Sequence, residues 1–121
     1  MARTALIVDD STSIRQMLGF TLREAGFTVL EGVNGSDALK VLEGKRVDLI
    51  VTDLNMPVMD GVTFIRAARS RAETKFTPIL MLTTESSQEK RQLAKAAGAT
   101  GWIVKPFQPT QLLQTIGRVL P

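Results

Sequence analysis

Five short apolar runs recur along the chain, and each is followed by a polar break and then a stretch with helical spacing. The runs are Thr4-Ala5-Leu6-Ile7-Val8, Phe27-Thr28-Val29-Leu30, Val47 to Thr52, Pro78-Ile79-Leu80-Met81-Leu82 and Gly101-Trp102-Ile103-Val104. In the third, Leu49, Ile50 and Val51 are β-formers with no clear polar alternation, which suits a strand buried on both faces of a parallel sheet, and the first and fourth also read as buried strands. Between the runs, apolar residues return every three or four positions, as a helix burying one stripe requires. Ile14, Met17, Leu18, Leu22 and Ala25 mark a helix over about 13–25, opened by Ser11-Thr12-Ser13 and closed by Gly26. Ala38, Leu39, Val41 and Leu42 mark a second, from Gly35-Ser36-Asp37 to Gly44. A third spans about Val62 to Arg71 with Phe64, Ile65 and Ala68 inward. The fourth opens at Ser86-Ser87-Gln88-Glu89, turns Leu93, Ala94 and Ala97 inward, and stops at Gly98. The last starts at Pro109, with Leu112, Leu113, Ile116 and Leu120 inward and Gly117 tolerated at some cost.

Five strands alternating with five helices predict an α/β fold. The expected form is a doubly wound, five-stranded parallel sheet with helices on both faces and right-handed crossovers. The 121 residues suffice for one domain with a real core, taken to span residues 1–121, and there is no linker or internal repeat.

Composition then narrows the chemistry. The chain has no Cys and no His, which excludes disulfides, thiol and Ser-His catalysis, His metal ligation and a phosphohistidine of its own. Carboxylates remain as the natural metal ligands, and they suit Mg²⁺ or Mn²⁺. No apolar run is long enough for a membrane span, and Met1-Ala2-Arg3-Thr4 passes straight into a strand, so no signal peptide and a cytoplasmic location are expected. A net charge of +3 permits an acidic partner. The basic residues are scattered and aromatics few, so neither nucleic acid nor membrane is expected as a partner.

The strands also end in a pattern. The first ends in Asp9-Asp10, the third in Asp53, the fourth in Thr83 and the fifth in Lys105. A parallel sheet brings these residues to one edge, the edge at which ligands bind in open α/β sheets. A single Asp at a strand end is equally well explained as a helix cap or a solubilising residue. Three carboxylates together repel one another unless a divalent cation and an ammonium offset them. A cation, a nucleophilic carboxylate, a hydroxyl and a lysine are what phosphoryl transfer requires.

The pair Asp9-Asp10, the block Thr52-Asp53-Leu54-Asn55-Met56-Pro57-Val58-Met59-Asp60-Gly61, Thr83 after an apolar strand, and Lys105-Pro106-Phe107 together resemble the response-regulator receiver domain of two-component signalling. In form the chain is similar, over its whole length, to the single-domain CheY-like chemotaxis regulators. The resemblance implies the flavodoxin-like strand order 2-1-3-4-5. It implies Asp53 as the phosphoacceptor, becoming a 4-aspartylphosphate. Asp10 and Asp53 would hold Mg²⁺ through carboxylates, Asn55 through its backbone carbonyl and Asp9 through a water. Lys105, preceding a cis Pro106, would contact the phosphoryl oxygens, and Thr83 would hydrogen-bond them and move inward. Trp102 would be the gating aromatic, where Tyr or Phe is commoner. Lys90 and Lys95 would flank an output face on the fourth helix that suits an acidic partner, with Arg91 pointing elsewhere. Asn55 and Glu85 would flank the path of an attacking water, and two polar residues there imply a short-lived phosphoryl group. Arg66, Arg69, Arg71 and Lys75 form a second basic zone, read as solvation.

The function expected is that of a stand-alone, monomeric receiver. It would take phosphate from a histidine kinase and signal by phosphorylation-dependent protein binding in chemotaxis, at a flagellar motor switch protein or as a phosphate sink. Its only catalysis would be its own phosphoryl transfer and autodephosphorylation. Three alternatives stand beside this: a phosphorelay or cell-cycle regulator, a pseudo-receiver that never carries phosphate, and a small Mg²⁺-dependent phosphatase. The last would need a general acid and a substrate-capping segment.

Overall fold

In the computed structural model, residues 3–85 and 87–120 are described. Strands β1 (Thr4–Val8), β2 (Thr28–Gly32), β3 (Leu49–Thr52), β4 (Ile79–Thr83) and β5 (Gly101–Val104) alternate with helices α1 (Thr12–Glu24), α2 (Gly35–Val41), α3 (Gly61–Arg69), α4 (Gln88–Ala97) and α5 (Pro109–Val119). The sheet is parallel throughout in the order β2-β1-β3-β4-β5. Central β3 and β4 are buried along their whole length, which explains why neither alternates apolar with polar residues.

Alternate residues of each strand feed two separate apolar layers. Leu6, Val8, Ile50, Ile79 and Met81 pack with Ala38, Leu42, Phe64, Ile65, Ala68 and Ala94, so α2, α3 and α4 cover one face. Ala5, Ile7, Leu49, Val51, Leu80, Leu82 and Ile103 pack with Leu18, Leu22, Leu112 and Ile116, so α1 and α5 cover the other. Among the described residues no helix is long and apolar enough to cross a membrane.

Several expectations shift. The second strand starts at Thr28 and runs on to Gly32, because its backbone pairs with β1 up to Val8. Gly32 belongs there for a packing reason: a Cβ would lie 2.9 Å from the Ala38 backbone. Helix α4 is capped by Ser87, within the expected Ser86-to-Glu89 opening, and its side chain accepts from the Lys90 N–H; Ser86 lies outside the described residues. Met17, Leu93 and Leu113, placed inward by periodicity, are 43%, 41% and 37% exposed, and Ala25 is exposed as well. A 3.6-residue period marks an apolar stripe but not how much of it the sheet can cover. Met17 and Leu113 line, with Phe20, an open groove between α1 and α5.

The basic zone around α3 is also more than solvation. Arg69 donates to the Gly98 carbonyl at 2.8 Å and the Thr74 carbonyl at 2.9 Å, and Arg71 donates to the Leu39 carbonyl at 2.9 Å. These guanidiniums satisfy carbonyls at helix ends and in loops that have no ladder partner.

Candidate functional site

Pairing continues one residue past the strands and sets the site. The Asp53 N–H donates to the Val8 carbonyl at 2.9 Å, and the Lys105 N–H donates to the Thr83 carbonyl at 2.9 Å. Because β1, β3, β4 and β5 are neighbours in that order, Asp9, Asp53, Thr83 and Lys105 all come to the same edge.

The carboxylates are held oxygen by oxygen. Asp9 is buried; its Oδ1 accepts the Ser11 N–H at 2.9 Å and its Oδ2 accepts Lys105 Nζ at 2.9 Å. Asp53, also buried, accepts the Leu54 N–H on Oδ1 at 2.7 Å and Lys105 Nζ on Oδ2 at 3.3 Å. Lys105 thus bridges two carboxylates. Burial alone would lower the pKa of its ammonium, but the hydrogen bond to Asp9 and the charges of Asp53 and Asp9 outweigh that and hold it above the usual lysine value. Asp10 is exposed, yet one oxygen from each of Asp9, Asp10 and Asp53 lies within 4.8 Å of the others. Such an all-oxygen donor set fits a small hard cation such as Mg²⁺.

The loop after Asp53 is built for close approach. The Gly61 N–H donates to the Leu54 carbonyl at 2.7 Å, and a Cβ on Gly61 would fall 2.3 Å from the Asp53 carbonyl oxygen. Only glycine fits there. Between them, Val58 sits at φ 71°, and the Met59 N–H donates back to the Pro57 carbonyl at 2.8 Å. That is a γ-turn with a β-branched residue in its strained centre, which Pro57 and Gly61 as loop markers did not reveal. Asn55 lies exposed on this loop.

Thr83 is buried, and its Oγ1 accepts the Glu85 N–H at 3.2 Å, which leaves the hydroxyl proton free to be donated. Glu85 is half-buried and caps the Ser87 N–H at 3.2 Å. The Lys105–Pro106 peptide is cis, as the resemblance implied. Trp102 is half-buried against the Met81–Ala94 layer, and its buried Nε1 has no hydrogen-bond partner among the described residues. Lys90 and Lys95 are exposed on α4. Contrary to expectation, Arg91 shares a side of α4 with Lys95, one turn on, and lies over the Trp102 ring, 5.7 Å from its centroid.

Sequence reasoning missed the contacts of two basic residues here. One is Arg91, whose ring partner Trp102 lies on another element. The other is Arg15, whose Nη1 donates to the Asp9 carbonyl at 2.7 Å. Its spacing of five residues after Asp10 was the available signal.

The family profile described as "Response regulator receiver domain" matches residues 5–117. The chain belongs to that family. Members take a phosphoryl group on an aspartate and bind Mg²⁺ as their general chemistry. The receiver is 38% identical over 115 residues to the chemotaxis protein CheY of Pseudomonas aeruginosa, covering 94% of this chain and 93% of that protein. Its structure is similar to that of the chemotaxis protein CheY4 of Vibrio cholerae crystallized at low pH, with a TM-score of 0.95 and 53% identity, covering 99% of this chain and 100% of that one. It is also similar to the receiver domain of the P. aeruginosa sensor histidine kinase PA1611, with a TM-score of 0.89 and 28% identity over 98% of this chain and 97% of that one. That domain holds a magnesium ion in its active site cleft.

Proposed function

We propose that this receiver acts in chemotaxis, taking a phosphoryl group from a histidine kinase onto Asp53. The observation that carries the reading is Lys105 bridging Asp9 and Asp53, which sets an ammonium beside the would-be acceptor carboxylate. An Asp53 oxygen attacks phosphorus as the bond to the donor's imidazole ring, protonated at its other nitrogen, breaks, leaving a neutral imidazole and an acyl phosphate. Asp10, Asp53 and the Asn55 carbonyl would hold Mg²⁺, with Asp9 acting through a water, and a bound ion would supply charge neutralisation at the phosphoryl oxygens. Lys105 pairs with those oxygens and the Thr83 hydroxyl donates to them.

About two negative charges enter the pocket with the phosphoryl group. Lys105 then divides its attraction differently, and Thr83 turns toward the new acceptor. Both contacts favour one of two arrangements of the α4–β5 face, and a bias of a few kcal/mol suffices to switch a population. The partner recognising that face is a protein of the flagellar motor switch kind, with an acidic segment meeting Lys90 and Lys95. Asn55 and Glu85 leave a polar path for water, so the phosphoryl group turns over quickly; a lifetime of hours in Mg²⁺ buffer would count against that part of the reading.

The test is intact mass after incubation with acetyl phosphate and Mg²⁺, for wild type beside Asp53→Asn. One added phosphoryl group on the wild type alone is the expected result. No addition to the wild type overturns phosphotransfer, and equal addition to both proteins overturns the assignment of Asp53.

A further inference from the structure

We infer that Arg15 is a positioning residue for the divalent-cation site, holding the Asp9–Asp10 peptide so that the Asp10 carboxylate faces Asp53. This rests on the Mg²⁺ reading above and deepens it. Strand β1 ends at Val8, whose carbonyl is taken by the Asp53 N–H, and the Asp9 N–H is taken by the Gly32 carbonyl at 3.2 Å. The Asp9 carbonyl is therefore the first past β1 with no ladder donor among the described residues. Arg15 supplies the donor, with Nη1 at 2.7 Å. A carbonyl left unpaired here, beside a buried carboxylate, would be free to rotate and would carry Asp10 with it. Asp10 itself makes no hydrogen bond or ion pair among the described residues, so this peptide plane is what aims it.

Arg15 is itself held in place. Its Nε pairs with Glu31 Oε1 on β2 at 3.3 Å, and Arg23 approaches the other Glu31 oxygen at 3.7 Å. The Arg15 side chain is only 14% exposed. One face of the guanidinium fork thus grips β2 while the other grips the end of β1, which a lysine's single point of charge cannot reproduce.

A rival role has the opposite sign. Arg15 brings positive charge close to three carboxylates, and charge alone would repel a divalent cation. If that dominated, removing the charge would tighten Mg²⁺ binding. If positioning dominates, losing the fork weakens binding even when the charge stays.

The experiment is calorimetric titration of the full, unphosphorylated chain with Mg²⁺, for wild type, Arg15→Lys and Arg15→Gln, each checked for folding by circular dichroism. We expect both variants to bind Mg²⁺ more weakly, by about 10-fold, the lower end for a residue that orients metal ligands from behind. In acetyl phosphate phosphorylation, the Mg²⁺ concentration for half-maximal rate should rise while the rate at saturating Mg²⁺ is retained. Unchanged affinity in Arg15→Lys overturns the inference, and so does tighter binding in Arg15→Gln. A wild type that takes up no Mg²⁺ overturns the underlying cation reading together with it, a result distinct from failure of the variants alone.

Discussion

The acidic pocket and the α4–β5 face lie near each other in the molecule but are held very differently. In the pocket, both oxygens of Asp9 and both of Asp53 have a donor, and Lys105 ties the two residues together. On the α4–β5 face, Trp102 Nε1 is buried without a hydrogen-bond partner among the described residues, Arg91 meets the ring in a cation–π contact, and Lys90 and Lys95 stand in solvent. At Asp9 and Asp53 every carboxylate oxygen is held by a donor, whereas a face with an unmet donor and a weak contact is held less tightly. The difference teaches where each half of a phosphorylation switch belongs. Chemistry needs acceptor geometry set in advance, and signalling needs an element that a modest new charge can move. Thr83 joins the two, since it is buried at the pocket's edge and its Oγ1 accepts the N–H of Glu85 on the way to α4.

Variants can break this contrast. The largest effect is expected from Lys105→Met, which strands two buried carboxylates beside each other. Unfolding in urea without Mg²⁺ should show a loss of about 3 kcal/mol, and added Mg²⁺ should recover part of it. A gain in stability would mean that desolvating Lys105 costs more than its pairs return. Gly61→Ala comes next, because its methyl group meets the Asp53 carbonyl backbone. Denaturation should register a loss of about 2 kcal/mol, accompanied by slower phosphorylation from acetyl phosphate.

The pocket should also leave a mark at alkaline pH. The Lys105 pKa is raised in the folded state. Its stabilisation is therefore fully present below the unfolded lysine value of about 10.4 and is lost as pH rises through the higher folded value. Melting temperatures followed from about pH 9 to 11 should fall more steeply for wild type than for Lys105→Met. Parallel curves would show that the bridge adds nothing.

The other face should respond weakly. Arg91→Ala should cost about 0.5–1 kcal/mol and alter the fluorescence of Trp102, the chain's one tryptophan. Smallest of all, Lys90→Ala with Lys95→Ala should change stability by less than about 0.5 kcal/mol while weakening capture of an acidic partner by the phosphorylated chain. A stability loss on this face as large as that for Lys105→Met would erase the distinction between the two regions.

Much of this was legible in the chain. Local patterning determined five strands and five helices, and the strand ends named Asp9, Asp10, Asp53, Thr83 and Lys105 as one set. Those inferences work because strand burial and helix amphipathicity are written in nearest-neighbour periodicity, and because a parallel sheet puts all C-terminal strand ends at one edge whatever the details. The exposure of Met17, Leu93 and Leu113 was not legible, since a helical stripe records apolar character but not the width of the surface that covers it. Which of Ser86 and Ser87 caps α4 was not legible either, because both offer the same hydroxyl.

What tertiary structure alone decided are the contacts between elements distant in sequence. Arg15 on the Asp9 carbonyl and Glu31, Arg91 over Trp102, and Arg69 on Gly98 join side chains to groups whose placement depends on how the sheet is ordered and twisted. Arginine reads in a sequence as surface charge; where its fork lands is fixed only when two elements bring unpaired carbonyls or carboxylates within its reach.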